Sequence, residues 1–355
     1  MKLIEQMKSF RIKRIDWKEF NLKEMSKKLA RIKTEKAESS THSFWVLVQK
    51  EVADHILSWR VNILMVLLAL TCLGSLYTAL TGIRDVASEI ESGEDAFLFL
   101  QLFTVSDGTL PPFFVFVGFI GPLLGIALGF DAINSEINKG TLSRIVSQPI
   151  PRDYIINAKF VAALLVISTL LFSLGFLVLG LGILIIGIPP TPEEFLRIVS
   201  FLILSVCYVA FWLNLSILFS IRFKQAATSA LCSIAVWLFF TVFYSMLVGV
   251  ISDASQSEDP LEAATEMVSH QEFTQNLSRL SPSQLFSEAT TTLLTPTIRS
   301  LGPLTMEQVV GAIPSALPLG QSLLLITPQL IGLIAATIVC FGVSFAMFMR
   351  KEIRS

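Results

Sequence analysis

The run Asp131-Ala-Ile-Asn-Ser-Glu136-Ile-Asn-Lys139-Gly140-Thr141-Leu142-Ser-Arg144-Ile-Val-Ser-Gln-Pro149-Ile-Pro151-Arg152-Asp-Tyr-Ile-Ile-Asn-Ala-Lys159 is a polar window between two long apolar stretches. Gly140 is placed to end a helix, because glycine tolerates the left-handed conformation that follows a helix C-terminus. Thr141 can cap a new helix by offering its hydroxyl to a free backbone N–H. Pro149 and Pro151 stop that helix, and proline is accepted in the first turn of the next. The window therefore predicts a helix of about two turns over 140–149, at about 3.6 residues per turn, lying across the mouth of two membrane spans.

The composition around this window sets the class. Of the 355 residues, 53% are hydrophobic and 15% charged, and the mean hydropathy is +0.67. These values exclude an ordinary water-soluble globule and predict a polytopic membrane protein. Six spans are expected, at roughly 61–80, 112–132, 159–187, 196–220, 228–251 and 325–349. The third is long enough to tilt or to project beyond the lipid. Residues 1–60 carry 14 Lys and Arg, and the loops on the same side bring that side to 23 of the 27 basic residues. The 81–111 loop carries only Arg84 against six acids. By the positive-inside rule both termini are expected in the cytoplasm. The basic N-terminus lacks an early apolar core and does not read as a cleavable signal peptide.

The expected organisation follows. Residues 1–42 form a basic amphipathic extension, with Leu22, Met25, Leu29 and Ile32 on one stripe. It rests on anionic lipid, touches a cytosolic partner, or stays disordered. Residues 43–60 form an interfacial elbow helix, flanked by Trp45 and Trp59, which suit the headgroup zone. Residues 61–251 hold spans one to five. Residues 252–324 form an outer segment, a small cap in which Ser281-Pro282-Ser283 opens a helix. Residues 325–355 hold span six and a cytoplasmic tail. The fold class is all-α: six transmembrane helices with N-terminal amphipathic and elbow helices, a cytoplasmic coupling helix and a helical outer segment.

Inside the spans, Gly121, Gly125 and Gly129 form two overlapping GxxxG units. Small residues let helix backbones approach, either within one bundle or across a dimer axis. The span centres hold almost no charge, which argues against an ion-coupled pump. Asn214, Ser216, Thr241 and Tyr244 either line a path for an amphipathic substrate or satisfy one another across helices. The four cysteines lie in apolar runs with no metal spacing and read as small hydrophobes. No phosphate loop, HExxH, GxSxG or zinc spacing occurs, so no catalytic residue, metal ligand or cofactor is expected in this chain. No nucleic-acid partner is expected, and the substrate-binding residues stay unassigned. An enzyme would need scattered residues such as His270 and Glu272 to converge.

The order Glu136-x3-Gly140-Thr141-Leu142, then Pro149, Arg152 and Lys159, resembles the "E…GTL…P…R…K" signature of type-2 ABC exporter permeases. Lys50-Glu51…Asp54…Ser58-Trp-Arg60 looks like that family's elbow. Ser220 with the Arg222-Phe-Lys224 turn is similar to its link between spans four and five. Leu280-Ser281-Pro282-Ser283-Gln-Leu-Phe286 is similar to its outer segment before span six. The likeness covers about 44–350, and its nearest flavour is the permeases of nitrous-oxide-reductase maturation and gliding motility. The resemblance implies a membrane permease in the cell membrane, paired with a second copy as a homodimer, with each copy bound to a cytosolic ATPase that holds the ATP and Mg. It implies coupling through Glu136, Gly140, Thr141, Leu142, Ile145, Val146, Pro149, Arg152 and Lys159. Glu136 would pair with Arg152 and Lys159, while Leu142, Ile145 and Val146 would enter an ATPase groove. The competing reading is a non-transporting scaffold or sensor that recruits the same ATPase.

Overall fold

The computed structural model describes residues 43–87, 97–106, 108–142, 150–187, 189–254, 270–297 and 316–351. The extension over 1–42, most of the 140–149 helix with Ile145, Val146 and Pro149, and much of 252–324 lie outside the described residues. The chain divides into two compact units, Met1–Val46 and Leu47–Ser355. In the first, residues 43–46 are helical; the description below concerns the second.

Among the described residues there are helices and no strands, and six helical segments are long and apolar enough to cross a membrane. An elbow helix runs through residue 56. It is followed by α1 (Trp59–Ala87), the short α2 (Leu98–Thr104), α3 (Phe113–Gly129) and the short α4 (Asn134–Asn138). Then come α5 (Arg152–Ile186), α6 (Pro192–Arg222), α7 (Ala226–Leu238) and α8 (Tyr244–Ala254), the last two joined by a π-helical turn at Phe239–Phe243. A helix over 270–278 precedes α9 (Pro282–Leu294) and α10 (Leu319–Arg350).

Each expected span is present, with shifted ends. The last begins at Leu319 rather than 325, because Pro318 serves as its N-cap and sets the start. The third spans 35 residues, or about 52 Å at 1.5 Å per residue, well beyond a hydrocarbon core of about 30 Å. Its surplus lies at the N-terminal end, so Lys159 sits two turns inside a continuous helix. Gly187, with φ of 81°, stops it.

The bundle is built around α6, which packs against α3, α5, α7, α9 and α10. Its first turn is held by a capping box: Thr191 Oγ accepts from the Glu194 N–H, and Glu194 accepts from the Thr191 N–H. On α3, a Cβ added at Gly125 would lie 2.8 Å from the Val209 carbonyl oxygen, and one at Gly129 would lie 2.8 Å from that of Leu213. A Cβ at Gly121 would meet a Val209 methyl at the same distance. The GxxxG face is therefore filled by α6 of the same chain. It gains dispersion contacts from a backbone approach that any side chain would prevent.

α9 is one of the short helices expected in the outer segment, and it packs into the bundle. Phe286, Ala289, Thr290, Leu293 and Leu294 are buried, and Phe286 stacks on Tyr208 of α6 with ring centroids 4.3 Å apart. Because α9 packs against α6 and α10, this part of the segment belongs to the core. The cause is its apolar face, which a cap exposed to water would leave unburied.

Among the polar residues of the spans, Ser216 Oγ donates to the Ile126 carbonyl at 3.1 Å. Tyr244 Oη donates to the Leu277 carbonyl at 2.7 Å, and Thr241 pairs with Ser283 at 3.4 Å. Asn214 differs: it is fully buried and its amide has no partner among the described residues. The four cysteines are free thiols; Cys72 is buried and the other three are half-buried.

Candidate functional site

The polar window and the elbow meet at the end of the bundle where α1 begins and α3 ends. In the elbow, Val48, Glu51 and the half-buried His55 recur at three- and four-residue spacing and so share the inward face. Lys159, only 5% exposed, reaches from α5 to Glu51 Oε2 at 2.9 Å and to Glu136 Oε1 at 2.8 Å. Lys50 adds bonds to Glu51 and Asp54, each 2.9 Å, and lies 3.8 Å from Glu136. Three elements far apart in sequence are thus joined through one ammonium group. Lys159 and Lys50 together balance the charges of Glu51 and Glu136, which is the condition under which buried ion pairs persist.

A second pair closes the same end. Arg60, at the start of α1, meets Asp131 at 2.6 Å and lies over the Phe130 ring at 4.8 Å. Arg60 is half-exposed, so this pair contributes little stability by itself.

α4 is positioned by α6. Ser220 Oγ accepts from the Ile133 N–H at 2.9 Å and the Asn134 N–H at 3.2 Å, taking two of the donors that a helix start leaves free. Asn138 donates to the Lys224 carbonyl at 2.9 Å. Lys351, past the end of α10, donates to the Ile221 carbonyl at 2.7 Å and caps the C-terminus of α6. Gly140 has φ of 68°, the left-handed conformation expected of it.

Two expectations for the window change, and that for Thr141 falls partly outside the described residues. Thr141 donates its hydroxyl to the Glu136 carbonyl at 3.2 Å, closing the preceding helix; any cap it gives to the next turn falls outside the described residues. Leu142 is 1% exposed and part of the core cluster, so it faces this chain's own bundle and not a partner's groove. Arg152 is exposed at the first residue of α5 and does not join Glu136. Glu51, quoted only as part of the elbow motif, takes the place assigned to Arg152 in the network.

Titration follows from the geometry. Burial alone would raise the Glu51 carboxyl, but the Lys159 charge and bonds from Lys50 and Lys159 outweigh it and hold the group below its ordinary 4.5. Burial pulls Lys50 down, yet hydrogen bonds to Asp54 and Glu51 leave it raised overall. Burial pushes His55 below 6.5; Lys159 adds to this, while Glu51, Asp131 and Asp54 oppose it. The unfolded chain therefore binds a proton at His55 before the folded chain does, so stability falls as pH drops below about 6.5. Glu51 adds a further loss as pH falls from about 4.5 through its lower folded value. His55→Gln should flatten the melting temperature between pH 6.5 and 5 and leave the acid decline below 4.5. Fluorescence melts across that range read both; an unchanged slope above pH 5 would exclude His55 as its source.

At the opposite end Arg197 is fully buried. It donates to the Leu293 carbonyl and Ser322 Oγ, each at 3.1 Å, to the Leu317 carbonyl, and to Glu193 at 2.8 Å. Nearby, Glu288 of α9 accepts from Arg279 at 2.9 Å and from Gln329 at 3.2 Å. These are anchoring clusters: each ties α9 to its neighbours, and all three guanidinium nitrogens of Arg197 donate.

The family model described as ABC-2 family transporter protein matches residues 45–353 of the chain. No curated protein matches it.

Proposed function

The chain belongs to the ABC-2 transporter family, and from that premise we propose that it is the transmembrane permease subunit of an ATP-driven exporter in the cell membrane. It is a multi-pass membrane protein. In this reading both termini and the polar window face the cytoplasm, where a separate ATPase subunit binds ATP and Mg and this chain carries no catalysis of its own. Two copies pair, and the exposed apolar side of α7 and α8, including Leu231, Met246 and Val250, meets lipid or the second copy. The closer likeness to permeases of nitrous-oxide-reductase maturation and gliding motility belongs to the same proposal.

The observation that supports this reading best is the Lys159 bridge. A partner pressing on the 140–151 connection moves α4 and the start of α5. Because Lys159 holds both to Glu51, the elbow must move with them, and the elbow leads directly into α1. Buried, charge-balanced contacts of this kind make a block that shifts as a unit, not a chain of independent loops. The exposed surface beside the block, with Ile137, Gly140 and Arg152, is where the ATPase would dock.

Co-purification tests the reading. The tagged chain, drawn in mild detergent from its own source, should bring down a stoichiometric ATPase whose activity responds to substrate. Arg152→Glu, alone and with Val146→Asp, should reduce the recovered ATPase at least tenfold without altering the gel-filtration profile of the permease. Full recovery by both variants would remove the docking assignment. An ATPase whose activity no substrate alters would favour a scaffold or sensor.

A further inference from the structure

Span five turns a polar face inward. Over Ala226–Ser252 only Ser229, Ser233, Trp237 and Val248 are buried, and the first three carry polar atoms. They recur every four residues and so form one row on α7. On α6, Ser220, Ser216, Trp212 and Tyr208 are also buried and also four apart. The turn at 223–225 makes the two helices antiparallel neighbours. Ser233 stands 3.4 Å from Ser216, which sets Ser229 level with Ser220 and Trp237 level with Trp212. One turn further on, Thr241 reaches Tyr208 through Ser283. From Ser229 to Thr241 the row rises about 18 Å at 1.5 Å per residue, more than half of a hydrocarbon core of about 30 Å.

The row joins span five to the bundle weakly. Ser233 bonds the Ser229 carbonyl of its own helix at 2.8 Å, while its bond across to Ser216 is long. The ties beside the π-helical turn, Ser281 to the Phe240 carbonyl at 3.3 Å and Thr241 to Ser283 at 3.4 Å, are no shorter. Ser229 Oγ and Trp237 Nε1 are buried and have no hydrogen-bond partner among the described residues. Each such atom costs about 1–3 kcal/mol. Alanine at 229 and 233 would allow the same close helix approach without that cost. On the other side of α6 the contact is of another kind. There α3 lies against the α6 backbone at Gly125 and Gly129, so those two helices stay together and α7 is the one able to part.

Both ends of the row suit such a movement. At the far end lies a cavity of about 120 Å³, lined by Thr241, Tyr244, Ser281 and Ser283. It adjoins the π-helical turn Phe239–Phe243, and single turns of that kind recur at functional sites. At the near end, Asn138 of α4 bonds the Lys224 carbonyl inside the 223–225 turn, and Ser220 holds the start of α4. From these observations we infer that span five is a hinged wall. It swings from span four about the 223–225 turn, and the polar row becomes a water-filled groove within one chain. Water then supplies the partners that Ser229 and Trp237 lack, and closure expels it. The groove rests on the row and the cavity; only its drive, a pull on the turn by α4, rests on the exporter reading.

Thiol labelling in lipid nanodiscs tests the groove. The full chain first has its four free cysteines replaced by alanine. It then receives one reporter, Ser229→Cys, Ser233→Cys or Leu231→Cys, and is treated with a charged, water-borne methanethiosulfonate. Leu231 is 67% exposed on the apolar side of α7 and stays dry in lipid. Ser229→Cys and Ser233→Cys should react at least tenfold faster than Leu231→Cys, and equal rates for the three would overturn the groove. A disulfide between Ser216→Cys and Ser233→Cys, whose hydroxyl oxygens now stand 3.4 Å apart, pins the helices together. With it in place, the Ser229→Cys rate should fall to that of Leu231→Cys. A rate the bridge leaves unchanged would overturn the swing, because the thiol would then be wet without any parting of helices. In the complex with the co-purified ATPase, ATP should change the Ser233→Cys rate at least threefold. No change there, with labelling still tenfold above Leu231→Cys, would keep the groove and remove the drive by α4.

Discussion

Lys159→Met should destabilise the protein by about 3–5 kcal/mol, the usual cost of removing one partner from a buried ion pair. The substitution keeps much of the side-chain volume and removes only the charge. Glu51 and Glu136, both over 90% buried, then face each other with Lys50 as their remaining cation, and Lys50 is 3.8 Å from Glu136. The melting temperature of the full chain should fall by on the order of 10 °C. Three companion variants separate charge from packing. Lys159→Arg retains the charge but brings a planar fork in place of a compact ammonium, and should recover part of the loss. Lys159→Met combined with Glu51→Gln and Glu136→Gln removes the uncompensated anions and should recover most of it, since apolar or neutral replacement of a whole buried pair is often nearly neutral. A Lys159→Met protein that melts with the wild type would show that the bridge holds nothing.

The single and triple variants also separate stability from coupling. If the bridge transmits motion, the triple variant should fold normally yet show ATPase activity that no longer responds to substrate. Restored stability together with restored response would leave the bridge a structural tie only, and the elbow would then have to be moved by another contact.

Much of this arrangement was legible in the sequence, because a membrane span announces itself through length and apolarity alone. Six runs read as spans became six helical segments, and α9 began at Pro282 as its Ser-Pro pair indicated. Gly140 took the left-handed turn because the choice is local: no other residue type reaches that φ so cheaply. The rotation of a helix about its own axis is not local. Leu142 follows Gly140 in an apolar patch that fits a partner's groove equally well, and only the packed bundle shows that it points inward. The same holds for Arg152 and Lys159. Both precede or open the third span, but the seven-residue extension of α5 places Lys159 inside the bundle and leaves Arg152 at its rim. Glu51 could be quoted as part of a motif, yet its pairing with Lys159 crosses 108 residues, a separation that no periodicity records.

Two signals were present in the sequence and carried more than was taken from them. Thr191-Pro-Glu-Glu194 has the spacing of a capping box, and it fixes the start of the most buried span. Arg197 is one of only four basic residues off the basic side of the chain. A cation that breaks the charge rule inside an apolar run needs a compensating cluster, and the cluster is there.

That cluster gives the second large effect. Arg197→Met should prevent stable folding or lower the melting temperature by at least as much as Lys159→Met. The guanidinium is fully buried and spreads its donors over the end of α9, through Leu293, and the entry to α10, through Leu317 and Ser322. Each buried acceptor left without a donor costs about 1–3 kcal/mol, and methionine supplies none. Lysine cannot stand in, because one ammonium does not reach the carbonyls of Leu293 and Leu317 in the directions that a planar fork does, so Arg197→Lys should rescue only a minor share. Glu193→Gln should be mild. Its carboxylate is 39% exposed, and the amide oxygen that replaces it still accepts from the Leu319 N–H. Hydrogen exchange locates the damage: in Arg197→Lys the amides of Gln321 and Ser322, at the first turn of α10, should lose protection while those of α4 keep it. Uniform loss over both ends would mean that Arg197 acts on the whole bundle and not as a tie between α6, α9 and α10.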